Sequence, residues 1–157
     1  STQNSNSCQE ADWFELGRRE GAVGKPLKYT ESIPTLCQNS NKEEQKKLYN
    51  IGRNVGLVQF CTIENAFELG KEGRTLEVTC PDETKDSFQI YYKQGLKVRD
   101  IQMANQKIDN QVNLLEIRMG DLNSSDKLKL KAEITKLKNL KTENTKQAEV
   151  IEDKLNL

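Results

Sequence analysis

Residues 48–56 read Leu-Tyr-Asn-Ile-Gly-Arg-Asn-Val-Gly, and residues 13–21 repeat the pattern as Trp-Phe-Glu-Leu-Gly-Arg-Arg-Glu-Gly. Each stretch places an aromatic residue three positions before a Gly-Arg pair, and a second glycine follows four residues after the first. A glycine inside a helix costs about 1 kcal/mol relative to alanine, so its repeated use needs a structural reason. Close packing of two helices is the reason we favour, because a face without side chains lets another backbone approach.

The same aromatic-x-x-Gly motif recurs further along the chain, and it defines the predicted helix crossings. The glycines assigned to crossings are Gly17, Gly21, Gly52, Gly56, Gly70 and Gly95. The alternative is a surface or groove for a ligand, with Trp13, Arg18, Glu20 and Arg53 as candidate residues. Packing is favoured because a small domain needs its large aromatic side chains for its own core. No Gly-Lys-Ser/Thr sequence accompanies the glycines, so they do not indicate a phosphate-binding loop.

Helical periodicity supports this interpretation around both repeats. Leu48, Ile51, Val55 and Val58 have the spacing of one helix face, and Ser40-x-x-Glu43 has the spacing of a capping box. These features predict a helix over 42–60, and the first repeat predicts a shorter helix over 11–24 that ends before Pro26. Residues 62–80 lack helical periodicity, apart from an alternating stretch at 75–79 that predicts one short strand.

The cysteines indicate the cellular compartment in which the protein is expected to fold. There are four of them: Cys8, Cys37, Cys61 and Cys80. The chain has no histidine and no C-x-x-C pair, so we expect neither a metal site nor a cofactor. An even number of cysteines in a small domain, most of them beside polar or turn-forming residues, favours two disulfides and an oxidising compartment. Three pairings are open, and Cys8–Cys37 with Cys61–Cys80 is preferred because it gives the shortest loops without crossing.

The composition changes near residue 88. The 157 residues carry 24 basic and 24 acidic side chains and are 34% hydrophobic, so a large core is not expected. No aromatic residue follows Tyr92, and the zero net charge cancels a mildly acidic first part against a mildly basic second part. We therefore predict a flexible tether over 1–7, a disulfide-bonded helical head over 8–87 and a helical hairpin over 88–157.

Two heptad series predict the hairpin's first helix, over about 84–120, and a weaker pattern predicts its second helix, over about 125–155. The two series of the first helix are Val98, Asn105, Val112 and Met119, and Ile101, Ile108, Leu115 and Leu122. Gly120 is suited to end the first helix, and residues 123–126 supply N-cap residues for the second. The second helix keeps the heptad phase except at Lys141 and Asn144.

A short turn favours antiparallel packing of these two helices within one chain, and the alternative is a parallel coiled coil with another chain. A turn near residue 123 places residue i opposite about 246 minus i. Asn105 would then lie beside Lys141, and Val112 would lie near Ile134. Because each helix has only one narrow apolar stripe, residues 96–157 could also self-associate.

Taken together, the motifs resemble a family of uncharacterised proteobacterial envelope lipoproteins, known only as a domain of unknown function. The matching features, in chain order, are Cys8, Asp12-Trp13, Gly17-Arg18-x-Glu20-Gly21, Cys37, Tyr49-x-x-Gly52-Arg53-x-x-Gly56-Leu57, Phe60-Cys61-Thr62, Phe67-x-x-Gly70, Cys80-Pro81, Phe88 and Tyr92-x-x-Gly95. The resemblance implies a signal peptide, a lipidated cysteine upstream of Ser1 and a periplasmic location. It implies no activity.

The expected function is that of a non-catalytic envelope lipoprotein whose hairpin binds another envelope protein. A periplasmic inhibitor or immunity protein is an alternative that the sequence does not separate from it. An enzyme using Glu15, Glu20 and Glu68 with Arg18 or Arg53 is a weaker alternative, because these charges are scattered. Nucleic-acid binding is not expected, since no aromatic residue lies among the lysines of the hairpin's helices for base stacking. Membrane contact is expected only through the lipid anchor.

Overall fold

The computed structural model describes residues 12–27 and 42–156, and within those ranges the chain forms five α-helices and no β-strand. They are α1 (Trp13–Ala22), α2 (Lys42–Phe60), α3 (Ile63–Lys71), α4 (Asp82–Met119) and α5 (Ser124–Asp153), followed by a 3₁₀ turn at Lys154–Asn156. The predicted all-α class is therefore confirmed. The predicted tether, the Cys8–Cys37 pair and the Ser40 cap lie outside the described residues.

Two compact units make up the chain. The first contains the described residues up to Ala66 together with Thr75–Tyr91, and the second contains Phe67–Arg74 and the described residues from Tyr92 onward. The composition changes near residue 88, whereas the units divide within α3 and α4. The first unit therefore contains α1, α2 and the first parts of α3 and α4, and the second contains the remaining parts of α3 and α4 together with α5.

Helix α1 has a defined cap at each end. The side chain of Asp12 accepts a hydrogen bond from the backbone N–H of Glu15 at 2.9 Å. At the other end Gly24 adopts a φ of 69°, a left-handed conformation that glycine reaches without strain. Its N–H donates to Gly21 at 3.0 Å, and the N–H of Lys25 donates to Glu20 at 3.0 Å, as in a Schellman motif. The predicted end before Pro26 is correct.

Helix α3 was not predicted, and the expectation that 62–80 lacks helical periodicity is wrong. The Thr62 hydroxyl accepts a hydrogen bond from the N–H of Asn65 at 3.2 Å, which marks an N-terminus. Ala66, Phe67 and Gly70 are buried on one face at helical spacing. The helix ends at Lys71 and is followed by Gly73, which has a φ of 68° and gives the same pair of terminal hydrogen bonds as at the end of α1. The helical spacing of these residues can be read in the sequence, but the helix is only nine residues long.

The strand expected at 75–79 does not form. A strand is stable only when a neighbouring strand pairs with its backbone, and the described residues contain no strand that could do so. The residues instead connect α3 to α4.

The predicted disulfide between Cys61 and Cys80 is present. Their Cα atoms are 5.9 Å apart, and the bond joins the residue that follows α2 to the segment that precedes α4. Beside it the rings of Phe60 and Phe88 pack with centroids 5.8 Å apart. The covalent link and the aromatic pair therefore hold the same two helices in the first unit.

The hairpin follows the predicted heptad phase. Ile108, Val112 and Ile134 form a buried cluster, against which Leu115, Met119 and Leu137 pack. Asn123 caps α5 by accepting a hydrogen bond from the N–H of Asp126 at 2.9 Å. Both helices begin and end within about two residues of their predicted limits. Packing between α4 and α5 within one chain is the arrangement that the structure shows.

The predicted hairpin register is correct in one part, because Val112 and Ile134 lie in the same buried cluster, but the polar contacts are shifted by about one helical turn. The side chain of Asn105 accepts a hydrogen bond from Asn144 at 3.1 Å and donates one to Thr145 at 3.3 Å, while Lys141 binds Asp109 at 2.7 Å. Asn105 therefore does not lie beside Lys141. Helical side chains point towards the N-terminus of their own helix, and this direction accounts for about two positions of the shift relative to a count of Cα atoms.

We expect a cysteine pair at Asn105 and Asn144 to form a disulfide within one chain under mild oxidation. Asn105→Cys with Lys141→Cys is the matched control, and it should cross-link more slowly because that pair belongs to the other register. Peptide mapping by mass spectrometry identifies the bond. Faster cross-linking of the control pair would contradict the observed register, and bonds formed only between chains would contradict the hairpin.

Candidate functional site

Helices α1 and α2 pack backbone against backbone at glycine. A Cβ atom added at Gly17 would overlap the carbonyl oxygen of Tyr49, and one added at Gly52 would overlap the carbonyl oxygen of Phe14. Each of these carbonyls belongs to the aromatic residue three positions before the glycine on the opposite helix. The two aromatic-x-x-Gly motifs therefore pack reciprocally.

The second glycine of each repeat extends this packing by one turn. A Cβ at Gly21 would overlap the carbonyl oxygen of Arg53, and one at Gly56 would overlap the carbonyl oxygen of Arg18. The contacts advance in the same direction along both helices, so α1 and α2 run parallel. A parallel pair requires a long connection between its helices, which the chain supplies between residues 22 and 42.

The second unit contains the same arrangement between α3 and α4. A Cβ at Gly70 would overlap the carbonyl oxygen of Tyr92, and one at Gly95 would overlap that of Phe67. The same added Cβ at Gly70 would lie 2.8 Å from the Cα atom of Gly95, a distance that real Cβ atoms do not reach. Each unit is thus built on one reciprocal crossing, and all four helices use the same motif.

A buried polar cluster lies at the first crossing, where α1 packs against α2. The hydroxyl group of Tyr49 donates a hydrogen bond to Glu20 Oε2, and Lys25 Nζ is 3.4 Å from Glu20 Oε1. Tyr49 is fully buried, and Trp13, Glu20 and Arg53 are only 4%, 7% and 6% exposed. Three of the four residues predicted for a surface or groove therefore lie in the interior.

The fourth residue, Arg18, belongs to a different environment. Its guanidinium group donates two hydrogen bonds to Glu15, and both side chains are about one-third exposed. These hydrogen bonds, together with the positive charge of Arg18, hold the pKa of the Glu15 carboxyl below its ordinary value. Arg18 and Glu15 thus form a pair on the surface of α1 and do not extend the buried cluster.

Tyr49 is the residue of this cluster that sequence reasoning did not assign to a site. The available signal was a line of polar-tipped residues, Gln45, Tyr49 and Arg53, at four-residue spacing on the face of α2 that also carries the glycines. Such a line beside close-packed glycines indicates that polar groups enter the helix interface.

Replacing Tyr49 with phenylalanine should lower the free energy of unfolding by about 2 kcal/mol, because a buried carboxylate loses a hydrogen bond. Urea unfolding followed by circular dichroism measures the change. Tyr91→Phe is the matched control on α4, where we expect a change within about 0.5 kcal/mol. Equal stability of the Tyr49 variant and the wild type would show that the hydroxyl group contributes nothing to the cluster.

The described residues contain no group of three or more His, Cys, Asp or Glu side chains that could hold a metal ion. The carboxylates considered for catalysis have separate partners: Glu15 binds Arg18, Glu20 binds Tyr49, and Glu68 binds Lys71 at 2.8 Å. None of the helices in the described ranges combines the length and apolar character needed to cross a membrane.

The extent of a family match coincides with these crossings. The family model for a protein of unknown function, DUF2799, matches residues 12–97. The chain belongs to the DUF2799 family. The match runs from the N-cap of α1 to just beyond Gly95, so the DUF2799 region contains both glycine crossings and the Cys61–Cys80 disulfide. No curated protein and no solved structure matches the chain.

Proposed function

We propose that this DUF2799 protein is a non-catalytic binding module of the bacterial envelope that contacts another protein through its hairpin. The observation that carries the proposal is a set of exposed aliphatic side chains close to the hairpin turn. Leu114, Ile117 and Leu128 are 64%, 73% and 67% exposed. All three lie within about ten residues of the turn between α4 and α5.

These side chains are not needed for packing within the hairpin. The interface between α4 and α5 uses the heptad positions, including Ile108, Val112 and Ile134, whereas Leu114 and Ile117 lie outside that seam. Leu114 and Ile117 are three residues apart, so they are neighbours on one face of α4. Clustered exposed apolar groups are typical of protein-binding surfaces. The tip is defined here as Leu114, Ile117 and Leu128.

The envelope location is part of the same proposal. A disulfide between Cys61 and Cys80 is stable in an oxidising compartment such as the periplasm, and it is uncommon in the cytosol. The resemblance to envelope lipoproteins adds a lipid anchor upstream of Ser1. Trapping free thiols with an alkylating reagent in intact cells tests the compartment, since we expect Cys61 and Cys80 to be protected.

Site-specific photo-cross-linking tests the binding surface. A photoreactive residue at Ile117 should form a cross-link to one defined envelope protein, whereas the same residue at Lys131, an exposed position of α5, should not. The identified protein is then purified and titrated against the wild type and against a variant with Leu114→Ser, Ile117→Ser and Leu128→Ser. We expect the variant to bind at least tenfold more weakly.

The control separates loss of binding from loss of fold. Because the tip side chains are exposed, the triple variant should have the same helical content and melting temperature as the wild type. Cross-links only to a second copy of the chain would identify self-association. Equal affinity of the variant and the wild type would contradict the proposed surface.

A further inference from the structure

Arg53 is a buried cation that forms no ion pair with the residues that the structure describes. Its side chain lies on α2 at the crossing with α1, and the residue is 6% exposed. The Nη1 atom is out of contact with solvent and has no hydrogen-bond partner. In the part of the chain that the structure describes, the ion pairs are made by other cations: Arg18, Lys25, Lys71, Arg74, Lys138 and Lys141.

Glu20, a buried carboxylate on α1, contacts residues other than Arg53. Its Oε2 atom accepts a hydrogen bond from Tyr49, and its Oε1 atom lies 3.4 Å from Lys25 Nζ. A buried guanidinium group without a counter-charge is strongly destabilising unless an anion binds it.

We propose that Arg53 is the binding residue for a small oxyanion, a carboxylate, phosphate or sulfate group. The planar guanidinium group can donate two parallel hydrogen bonds to two oxygen atoms of such a group. The narrow remaining exposure of Arg53 favours a small molecule over a side chain of a macromolecule. This site lies in the DUF2799 region and is independent of the hairpin tip.

The probes are sodium phosphate, sodium sulfate and sodium acetate, each compared with sodium chloride at equal ionic strength. With at least one of the three oxyanions, the Nε–Hε signal of Arg53 in the nuclear magnetic resonance spectrum should shift along a saturable curve. The corresponding signal of Arg18, which is already paired with Glu15, should stay in place. The same oxyanion should raise the melting temperature of the wild type by several degrees.

Arg53→Met keeps a similar side-chain volume and removes the charge, and it should abolish the rise in melting temperature. In sodium chloride this variant should melt no lower than the wild type, because it removes an unpaired buried charge. Arg18→Met is the matched control and should keep the response to the oxyanion.

Three results would overturn the proposal. The first is an Arg53 signal that responds to none of the oxyanions. The second is an equal rise in melting temperature for the wild type and Arg53→Met, which would be a general salt effect. The third is a large drop in the melting temperature of Arg53→Met in chloride, which would show that the protein supplies the counter-charge itself.

Discussion

Replacing Gly52 with leucine is expected to prevent folding, and replacing it with alanine is expected to lower the free energy of unfolding by about 2 kcal/mol or more. The added Cβ atom would overlap the carbonyl oxygen of Phe14 and lie 2.9 Å from its Cα atom. Backbone cannot move aside as a flexible side chain can, so α1 must separate from α2. Helix propensity alone would favour alanine by about 1 kcal/mol, and the overlap must exceed this gain.

Gly120→Ala is the matched control for this prediction. A Cβ at Gly120 would meet only the carbonyl oxygen of Ile117 at 3.5 Å, an ordinary contact. We expect a change within about 0.5 kcal/mol for the control in urea unfolding. If Gly52→Ala were as stable as the wild type, the glycines would not mark a close crossing, and the groove alternative for this face would gain support.

Removing the Cys61–Cys80 bond by a double substitution to alanine should cost about 3 kcal/mol. The bond closes a loop with a sequence separation of 19 residues, and in the chain-entropy account a loop of this size contributes about this amount. Chemical unfolding of the variant and the wild type, both without reductant, measures the difference. Cys8 and Cys37 are kept in both proteins.

The reductant provides the control for the disulfide prediction. Dithiothreitol should lower the stability of the wild type by more than that of the double variant, because only the wild type retains the Cys61–Cys80 bond. A loss below about 1 kcal/mol on substitution would contradict the assigned contribution. It would indicate that the aromatic pair of Phe60 and Phe88 holds α2 and α4 without the covalent link.

Sequence patterns predicted the helices well where a long periodic signal existed. The predicted limits of α2 match the structure residue for residue, and the heptad positions of α4 and α5 are the ones that pack. The short α3 was missed because nine residues carry too little periodicity to outweigh the strand-like residues that follow. The periodic sequence pattern therefore predicted the long helices and missed the short one.

The apolar pattern of α2 did not predict which face of the helix is buried. Leu48, Ile51, Val55 and Val58 gave the helical periodicity, yet each of them is at least 41% exposed. The face that packs on α1 instead carries two glycines with Tyr49 and Arg53. Close backbone packing requires small residues, so hydrophobicity is a poor guide to the buried face of this helix.

The pairing of the glycine motifs was also beyond a sequence argument. Four helices carry the same aromatic-x-x-Gly motif, so the motif alone fits any of several pairings. The structure selects α1 with α2, which run parallel, and α3 with α4. The connections within these pairs are longer than a tight turn, so they allow several pairings. The sequence alone does not show which pairing forms.

At both crossings a glycine of one helix packs against the backbone of the other helix, and the nuclear Overhauser effect measures this close approach most directly. In the second crossing, a Cβ built on either Gly70 or Gly95 would lie within 2.9 Å of the Cα atom of the other glycine. We predict a strong cross-peak between the α-protons of Gly70 and Gly95 in the folded, oxidised protein. Absence of this cross-peak, with both glycine resonances assigned, would contradict the account.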